Sequence, residues 1–212
     1  MMKKVIVIPA YNEQATIDAV VREAIKHSDL TIVVNDNSSD DTQSVVERHS
    51  VDLLNNQDNL GYDKSLAIGI KHAIKQGATS ILTIDADGQH PTDSINSFFQ
   101  KIEIDGYDLV LGSRQCYPRF SEMLFGIYTR VRWNIQDLTC GMKCYSAKRL
   151  KELHKISSSY NSVGTYLASQ LIKAGRSYTS LSINESDRSG NSRFGNSFKS
   201  EITIIGALLR TF

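Results

Sequence analysis

Short runs of β-branched and aliphatic residues alternate with helix-like segments through the first half of the chain. These runs predict strands at 5–8, 31–34, 51–54, 81–84 and 109–111, and Pro9 is expected to end the first of them. Apolar residues at helical spacing predict helices at 14–27, from about Thr42, at 64–75 and at 94–102. Strands that alternate with helices favour parallel pairing, with helices on both faces of the sheet. The sequence therefore predicts an α/β fold with a mostly parallel sheet.

The second half of the chain is predicted to supply amphipathic helices and a loop. A helix is expected at 117–133, and its apolar face carries Phe120, Leu124, Ile127 and Val131. The following elements are expected to be a strand at 139–145, a helix at 163–174, a strand at 180–183, a mobile loop at 186–197 and an amphipathic helix at 200–209. The apolar faces either pack on the sheet, form a dimer contact or rest on a membrane surface.

The length of 212 residues favours one domain over 1–212, and a formal net charge of +1 gives no sign of a nucleic-acid partner. The small net charge results from two halves of opposite charge, however. Residues 1–113 contain 9 basic and 17 acidic side chains, whereas residues 114–212 contain 15 basic and 6 acidic ones. The split is consistent with a metal-binding half followed by a half that receives phosphates.

The number of cysteines and the lengths of the apolar runs indicate the cellular compartment of the protein. Cys116, Cys140 and Cys144 are odd in number and lack the spacing of a zinc site, so they are interpreted as reduced thiols of a cytosolic protein. The first apolar run is too short for a signal peptide, and no later run approaches the ~20 residues that span a bilayer. We expect a chain that does not cross a membrane by itself.

A cluster of oxygen-bearing side chains follows the predicted strand 81–84. If the chain stays extended there, Asp85, Asp87 and Gln89 point the same way and present three oxygens to one place. Mg²⁺ and Mn²⁺ take such ligands and complete their shell with water and substrate phosphates. The alternative is that these acidic residues only cap the helix after Pro91.

The segments after the first two strands carry groups suited to a nucleotide. Tyr11 can cover a flat base, while Glu13 and Asp36 can accept hydrogen bonds from a base or ribose. The alternative is a strand end followed by a helix cap. The glycine patterns of dinucleotide-binding and P-loop proteins are absent from these strand ends.

Seven segments together resemble the family 2 nucleotide-sugar glycosyltransferases of GT-A fold, and more closely their polyprenyl-phosphate branch, typified by dolichyl-phosphate mannosyltransferase. The matching segments are, in order, 7–13 (VIPAYNE), 34–38 (VNDNS), 59–62 (NLGY), 85–91 (DADGQHP), 112–114 (GSR), 137–145 (DLTCGMKCY) and 188–194 (RSGNSRF). The resemblance covers nearly the whole chain. Asn35, Cys140 and Arg193 depart from residues that the family usually has at those positions.

The resemblance implies roles for the matching positions. The nucleotide would be held by Pro9, Tyr11, Glu13, Val34 and Asp36. Asp85, Ala86 and Asp87 would lie along the diphosphate sugar, and the metal would be bound by Asp85, Asp87 and Gln89. Arg114, Arg188 and Arg193 would bind phosphates of donor or acceptor, so that Asp87, Arg114 and Arg188 are the expected catalytic residues.

The implied activity is the inverting transfer of a sugar from a nucleoside diphosphate, such as GDP-mannose or UDP-glucose, to a polyprenyl phosphate, with Mg²⁺ or Mn²⁺ as cofactor. A phosphate acceptor is already mostly dianionic at neutral pH and needs no general base, whereas an alcohol acceptor would need one, with Asp137 or Asp87 as first candidates. We expect a peripheral protein at the cytoplasmic face of a membrane, and a homo-oligomer or a small membrane partner subunit remains open. The alternatives are a saccharide acceptor in capsule or lipopolysaccharide assembly, and a non-catalytic nucleotide-sugar-binding protein.

Overall fold

The computed structural model of the protein describes residues 2–115, 120–153, 156 and 162–184. The strands in these ranges are β1 Lys4–Ala10, β2 Leu30–Asn35, β3 Asp52–Asn55, β4 Ser80–Thr83, β5 Leu109–Arg114, β6 Lys143–Ser146 and β7 Tyr178–Ile183. The α helices are α1 Ile17–His27, α2 Thr42–Val46, α3 Tyr62–Lys75, α4 Ile95–Glu103, α5 Phe120–Trp133, α6 Ala147–Glu152 and α7 Val163–Lys173. The predicted loop at 186–197, the predicted helix at 200–209, and Cys116, Arg188 and Arg193 lie outside the described residues.

All seven strands belong to one sheet, in the order β3-β2-β1-β4-β6-β5-β7. Strand β6 runs antiparallel to both of its neighbours, β4 and β5, and the remaining pairs are parallel. The predicted α/β fold with a mostly parallel sheet is thereby confirmed. Both halves of the chain contribute to this sheet, because β6 and β7 lie beyond residue 113. The helix α6, which directly follows β6, was not predicted.

The first strand does not end at Pro9, contrary to the prediction. It continues to Ala10, with Pro9 opposite Val34 of β2. Its other neighbour, β4, pairs only as far as Thr83, which lies opposite Val7. Pro9 therefore has a strand neighbour on one side alone. Because Pro9 lies beyond the last pair between β1 and β4, its lack of an N–H group costs no hydrogen bond between those two strands.

Two hydrophobic layers cover the faces of the sheet. One layer packs side chains of α3, α5, α6 and α7 against residues such as Val7, Val34 and Tyr145. The other packs α1, α2 and α4 against residues such as Ile8 and Leu82. Strands buried on both faces read as continuous apolar runs, which is why the strand positions could be predicted from the sequence. In the part of the chain that the structure describes, no helix has the length and apolar character needed to cross a bilayer.

Helix α3 lies unusually close to the sheet at Gly69. A Cβ atom at this position would stand 2.4 Å from Cγ1 of Val7 and 3.1 Å from Cγ2 of Val34. Both valines are fully buried and β-branched, so their side chains have little freedom to move away. The absence of a side chain at Gly69 thus sets how tightly α3 packs over β1 and β2.

Replacement of Gly69 by Ala is therefore expected to lower the free energy of unfolding. Overpacking in a core costs about 1–3 kcal/mol, and a contact of 2.4 Å with a buried β-branched side chain favours the upper part of that range, about 2–3 kcal/mol. The gain in helix propensity returns only about 1 kcal/mol, so we expect a net loss of about 1–2 kcal/mol. Urea unfolding monitored by circular dichroism measures the change. Lys71→Ala, at an exposed position of the same helix, serves as the control. Equal or higher stability of Gly69→Ala would contradict the close packing.

Candidate active site

The segments that follow β1, β2 and β4 meet at one edge of the sheet. The main-chain N–H of Asp36, just after β2, donates to the carbonyl of Ala10 at the end of β1, at 2.8 Å. The hydroxyl of Thr16 donates to the carbonyl of Ala86 at 2.8 Å and to a carboxylate oxygen of Glu13 at 3.2 Å. One threonine thus joins the segment after β1 to the segment after β4. Ligands of α/β sheets bind at this edge, beyond the carboxyl ends of the strands.

The loop after β1 is also fixed to the loop after β2. Asn12 has a φ of 52°, in the left-handed region that asparagine tolerates. Its side-chain oxygen accepts a hydrogen bond from the main chain of Ser39 at 2.8 Å. The main chain of Glu13 donates to the hydroxyl of Thr42 at 2.7 Å. These contacts hold the half-buried Tyr11 and Glu13 at the edge where the nucleotide was predicted to bind.

Three further residues predicted to hold the nucleotide are buried. Pro9 and Val34 lie side by side in β1 and β2, and the side chain of Val34 belongs to the core layer beneath α3. The carboxylate of Asp36 accepts three hydrogen bonds of 2.7–2.8 Å, from the side-chain amide of Asn56 and the main chains of Leu60 and Gly61. Asp36 therefore fixes the turn that leads into α3.

The chain does not stay extended after β4, and the extended conformation assumed for the metal ligands was wrong. Residues 86–88 form a turn, with Gly88 at a φ of 76°. The main chain of Gln89 donates to Oδ1 of Asp87 at 3.1 Å, which closes this turn. Side-chain alternation therefore does not align Asp85, Asp87 and Gln89. The structure nevertheless keeps all three partly exposed within one short turn, with Ala86 buried between the two aspartates.

The carboxylate of Asp85 is held from three directions. Its Oδ1 accepts a hydrogen bond of 2.7 Å from the hydroxyl of Tyr62, and its Oδ2 lies 3.1 Å from Nε2 of His90. On the third side a Cβ atom at Gly141 would come within 2.6 Å of Oδ2, so any larger residue would displace the carboxylate. Asp85 therefore has a fixed orientation in the structure.

The protonation states of the two neighbours suit this arrangement. Burial and the charge of Asp85 raise the pKa of Tyr62 well above its ordinary value, so its hydroxyl keeps its proton. Burial lowers the pKa of His90, although the charges of Asp85 and Asp87 act in the opposite direction. A neutral imidazole with its proton on Nε2 can donate to Asp85.

The turn after β4 offers oxygen donors of the type that Mg²⁺ and Mn²⁺ prefer. Within the described ranges, no three His, Cys, Asp or Glu side chains are grouped so as to hold a metal ion among themselves. The carboxylates of Asp85 and Asp87 and the amide of Gln89 fit a hard cation whose remaining ligands come from substrate phosphates and water. The donor chemistry is thus compatible with the predicted cofactor.

Arg114 ends β5, and its guanidinium lies between two buried carboxylates. Its Nε donates to Oδ2 of Asp137 at 2.7 Å, and its Nη2 donates to Oε2 of Glu122 at 3.0 Å and to the hydroxyl of Thr139 at 2.8 Å. Burial alone would lower the pKa of Arg114, but the hydrogen bond and charge of Asp137 raise it, so the group stays charged. The resemblance implies phosphate ligands for Arg114, whereas these partners belong to the chain itself.

Asp137 is the fully buried partner of that arginine. Its Oδ1 accepts further hydrogen bonds from the main chains of Thr139 and Cys140, at 3.0 and 3.1 Å. Burial would raise the pKa of Asp137, but the hydrogen bond and charge of Arg114 lower it. Both oxygens thus stabilise the loop 137–141, which does not fit the role of general base that was considered for this residue.

Lys143 also stabilises the loop 137–141. Its ammonium group donates to the carbonyl of Cys140. Burial lowers the pKa of Lys143, and the nearby groups Cys140 and Asp137 offset this shift only in part. Burial also raises the pKa of Cys140 to about 12 and that of Cys144 well above its usual range. Both are buried thiols without a disulfide partner in the structure, and their raised pKa favours the protonated form.

Four residues around the predicted set were not anticipated as part of the site. Tyr62 and Lys143 lay within matched segments of the sequence but were given no role, and the same holds for His90. Thr16 lies outside those segments. A polar side chain within a matched segment was the available signal for Tyr62, Lys143 and His90. Their partners are distant in the sequence or on other elements, which a motif does not reveal.

Comparisons with known sequences and structures agree with the observed fold and identify the family. A profile of the family described as Glycosyl transferase family 2 matches residues 5–148. The UDP-N-acetylglucosamine--dolichyl-phosphate N-acetylglucosaminyltransferase of Methanococcus voltae is 32% identical over 178 residues, which cover 70% of this chain and 71% of that protein. The undecaprenyl-phosphate 4-deoxy-4-formamido-L-arabinose transferase of Shewanella sediminis is 25% identical over an alignment that covers 90% of this chain and 61% of that protein.

Among solved structures, glucosyl-3-phosphoglycerate synthase of Mycobacterium tuberculosis has the same fold. Its complex with Mn²⁺, UDP and glucosyl-3-phosphoglycerate gives a TM-score of 0.78 at 16% identity, over 99% of this chain and 80% of that one. At this identity the likeness concerns the fold alone. The family profile, in contrast, covers well over half of the chain, and the two relatives named above are polyprenyl-phosphate sugar transferases. This protein therefore belongs to family 2 of the glycosyltransferases and is an enzyme of that type.

Proposed function

We propose that this protein transfers a sugar from a nucleoside-diphosphate sugar to a polyprenyl phosphate, with inversion at the anomeric carbon and with Mg²⁺ or Mn²⁺. The observation that carries the proposal is the position of Asp85 and Asp87 at the end of β4, joined through Thr16 to the segment that bears Tyr11 and Glu13. The polyprenyl-phosphate acceptors named for two relatives support the acceptor.

In this proposal the donor lies along the edge formed by β1, β2 and β4. Tyr11 and Glu13 contact the nucleoside, and Asp36 and Asp85 shape the pocket through their fixed orientations. The wider donor set retains the residues implied by the resemblance: Pro9, Val34, Ala86, Asp87, Arg114, Arg188 and Arg193. Arg188 and Arg193 remain the candidates for direct phosphate binding.

The proposed cation would be held by Asp85, Asp87 and Gln89. When bound, a divalent cation neutralises charge that develops on the departing nucleoside diphosphate. The solved neighbour contains Mn²⁺ with UDP in one complex and Mg²⁺ with UDP in another, which supports either ion here. Asp87 is the proposed catalytic carboxylate of the set. Asp85 is tied to Tyr62 and His90, which leaves its orientation little freedom.

Arg114 is proposed to act through the loop that it supports. Its hydrogen bonds to Asp137 and Thr139 fix the segment that places Gly141 against Asp85. The positive charge of Arg114 still lies at the carboxyl end of β5, on the same sheet as the donor segments. The phosphate acceptor needs no proton removed, which is consistent with an Asp137 committed to structural hydrogen bonds.

The direct test offers the enzyme radiolabelled UDP-N-acetylglucosamine, UDP-glucose and GDP-mannose, with Mn²⁺ or Mg²⁺ and a polyprenyl phosphate. Extraction into organic solvent then separates glycolipid from unused donor. We expect label in the organic phase with one of the donors. Transfer to an added oligosaccharide, with none to lipid, would instead favour a saccharide acceptor.

A membrane-facing role is proposed for one surface of α5, defined by Met123, Leu124, Ile127 and Val131. These apolar residues are 37% to 85% exposed, and they follow one another at near-helical spacing. The exposed charges beside them are the basic residues Arg130 and Arg132, because the acidic Glu122 is buried against Arg114. Apolar residues flanked by arginines are the chemistry that binds an anionic bilayer surface. We propose that this surface brings the enzyme to its lipid acceptor at the cytoplasmic face of a membrane.

Asp87→Asn is expected to lower the turnover of sugar transfer by about 100-fold or more, because several kcal/mol of charge stabilisation depend on the proposed cation. The readout is the initial rate of glycolipid formation at saturating donor and Mn²⁺. Asp93→Asn, at an exposed position a few residues further on, is the control and should keep normal turnover. Normal turnover of Asp87→Asn would contradict the proposed role of Asp87 as a ligand of the cation.

Asp137→Asn is expected to lower the free energy of unfolding at neutral pH by up to about 3 kcal/mol, because Arg114 loses one of its two buried carboxylate partners and keeps only Glu122. The pKa of Asp137 is below its ordinary value of 3.8 in the folded protein, so its ionised form stabilises the fold above that pH and less so below it. The stability difference between wild type and variant should therefore narrow as the pH falls below 3.8.

Denaturant unfolding across this pH range measures that difference. Asp105→Asn breaks a surface pair with Lys101 and is the matched control, whose stability should stay close to wild type because solvent screens the pair. A constant difference between wild type and Asp137→Asn at all pH values would contradict the assigned ion pair.

Val131→Glu should weaken binding to vesicles that contain phosphatidylglycerol by about 10-fold or more, because it removes apolar burial and adds repulsion. Sedimentation with the vesicles measures the bound fraction. Ile104→Glu is the control, because it changes a similarly exposed apolar residue, 75% accessible, just after α4. Equal losses in both variants would show that the α5 surface has no special part in binding.

A further inference from the structure

The hydroxyl of Tyr62 is committed to a carboxylate of the proposed metal site. It donates to Oδ1 of Asp85 at 2.7 Å, while Oδ2 of the same carboxylate lies 3.1 Å from His90. Other tyrosine hydroxyls satisfy the main chain instead: Tyr145 donates to a carbonyl at 3.0 Å and Tyr178 to another at 2.6 Å. The bond of Tyr62 therefore orients a side chain of the site.

The main chain before Tyr62 is itself tied to the site. Tyr62 is the first residue of α3, and it follows Gly61, whose φ of 86° allows the sharp entry into the helix. The N–H groups of Leu60 and Gly61 both donate to the carboxylate of Asp36, at 2.8 and 2.7 Å. The position of the phenol is thus set by a carboxylate at the end of β2, and it acts on a carboxylate beyond β4.

The residue after Tyr62 extends the same anchoring to a second helix. The carboxylate of Asp63 accepts hydrogen bonds from the main chains of Ser162 and Val163 at the start of α7, at 2.8 and 2.6 Å. Both residues that flank Tyr62, Gly61 and Asp63, are therefore held by hydrogen bonds. A phenol fixed in this way loses little entropy when it holds Asp85, which is what an orienting group requires.

We propose that Tyr62 is a positioning residue, whose hydroxyl holds the carboxylate of Asp85 in the orientation that binds the divalent cation together with the donor diphosphate. This inference rests on the proposed function, because it takes Asp85 as a ligand of that cation. Groups that orient a metal ligand typically contribute 10–100-fold to metal affinity or activity. Tyr62 gains such a role from its bond to Asp85, without contact to the cation.

The test compares Tyr62→Phe with wild type for binding of Mn²⁺ in the presence of UDP or GDP, whichever the wild type binds better. Electron paramagnetic resonance of free Mn²⁺ gives the dissociation constant without any need for turnover. We expect affinity to fall by about 10-fold or more, with little change in thermal unfolding. Tyr178→Phe, which removes a structural hydroxyl elsewhere, should bind Mn²⁺ like wild type.

A double-mutant cycle with Asp85→Asn shows whether Tyr62 acts through Asp85. The effect of Tyr62→Phe should largely disappear in the Asp85→Asn background. An equal loss in both backgrounds, or wild-type affinity in Tyr62→Phe, would overturn the positioning role. A wild-type protein that binds no Mn²⁺ with either nucleotide would instead overturn the proposed metal dependence, so the two failures are distinguishable.

Discussion

Carboxylates gathered near one edge of the sheet must each be stabilised by hydrogen-bond donors, because like charges at short range otherwise favour protonation. Asp36 uses main-chain N–H groups, Asp85 uses a phenol and an imidazole, and Asp137 uses a guanidinium. The donors to Asp36 and the phenol come from the start of α3, the imidazole comes from the segment after β4, and the guanidinium comes from β5. The arrangement of the site therefore depends on the sheet, which brings those elements together, and the donors decide the orientation in which each carboxylate is held.

Much of the fold could be predicted because its signals are local. Buried parallel strands give continuous apolar runs, and the carboxyl ends of β1, β2 and β4 lie within two residues of where those runs stop. The placement of Glu13 and Asp87 at one edge of the sheet needed no further information. The strand β6 was harder to predict in direction, since a short apolar segment does not indicate whether it runs parallel or antiparallel.

The parts of the site that escaped prediction depend on contacts between distant residues. Arg114 and Asp137 are 23 residues apart, as are Tyr62 and Asp85, and no periodic pattern links them. The turn at 86–88 was not predicted from the sequence for a different reason. An Asp-x-Asp sequence is compatible with an extended chain, and it was Gly88, at positive φ, that allowed the reversal.

The structure shows that several basic residues of the half 114–212 form ion pairs or hydrogen bonds within the protein. Lys143 is buried and Arg114 is largely buried, and both form hydrogen bonds within the loop 137–141. Arg149 is paired with Asp108, so all three charges stabilise the fold. On α5 the exposed charges are Arg130 and Arg132, at the opposite end of the helix from Glu122.

Helix α5 therefore connects the two surfaces that the proposed reaction needs. Its buried Glu122 contacts Arg114 near the donor edge, and its exposed Val131 lies nine residues further along. At 1.5 Å per residue this separation is about 14 Å along the helix axis. If the α5 surface rests on a bilayer as proposed, a lipid phosphate has to bridge only a distance of that order. A short and rigid helix can thus keep a membrane acceptor within reach of a donor bound at the sheet edge.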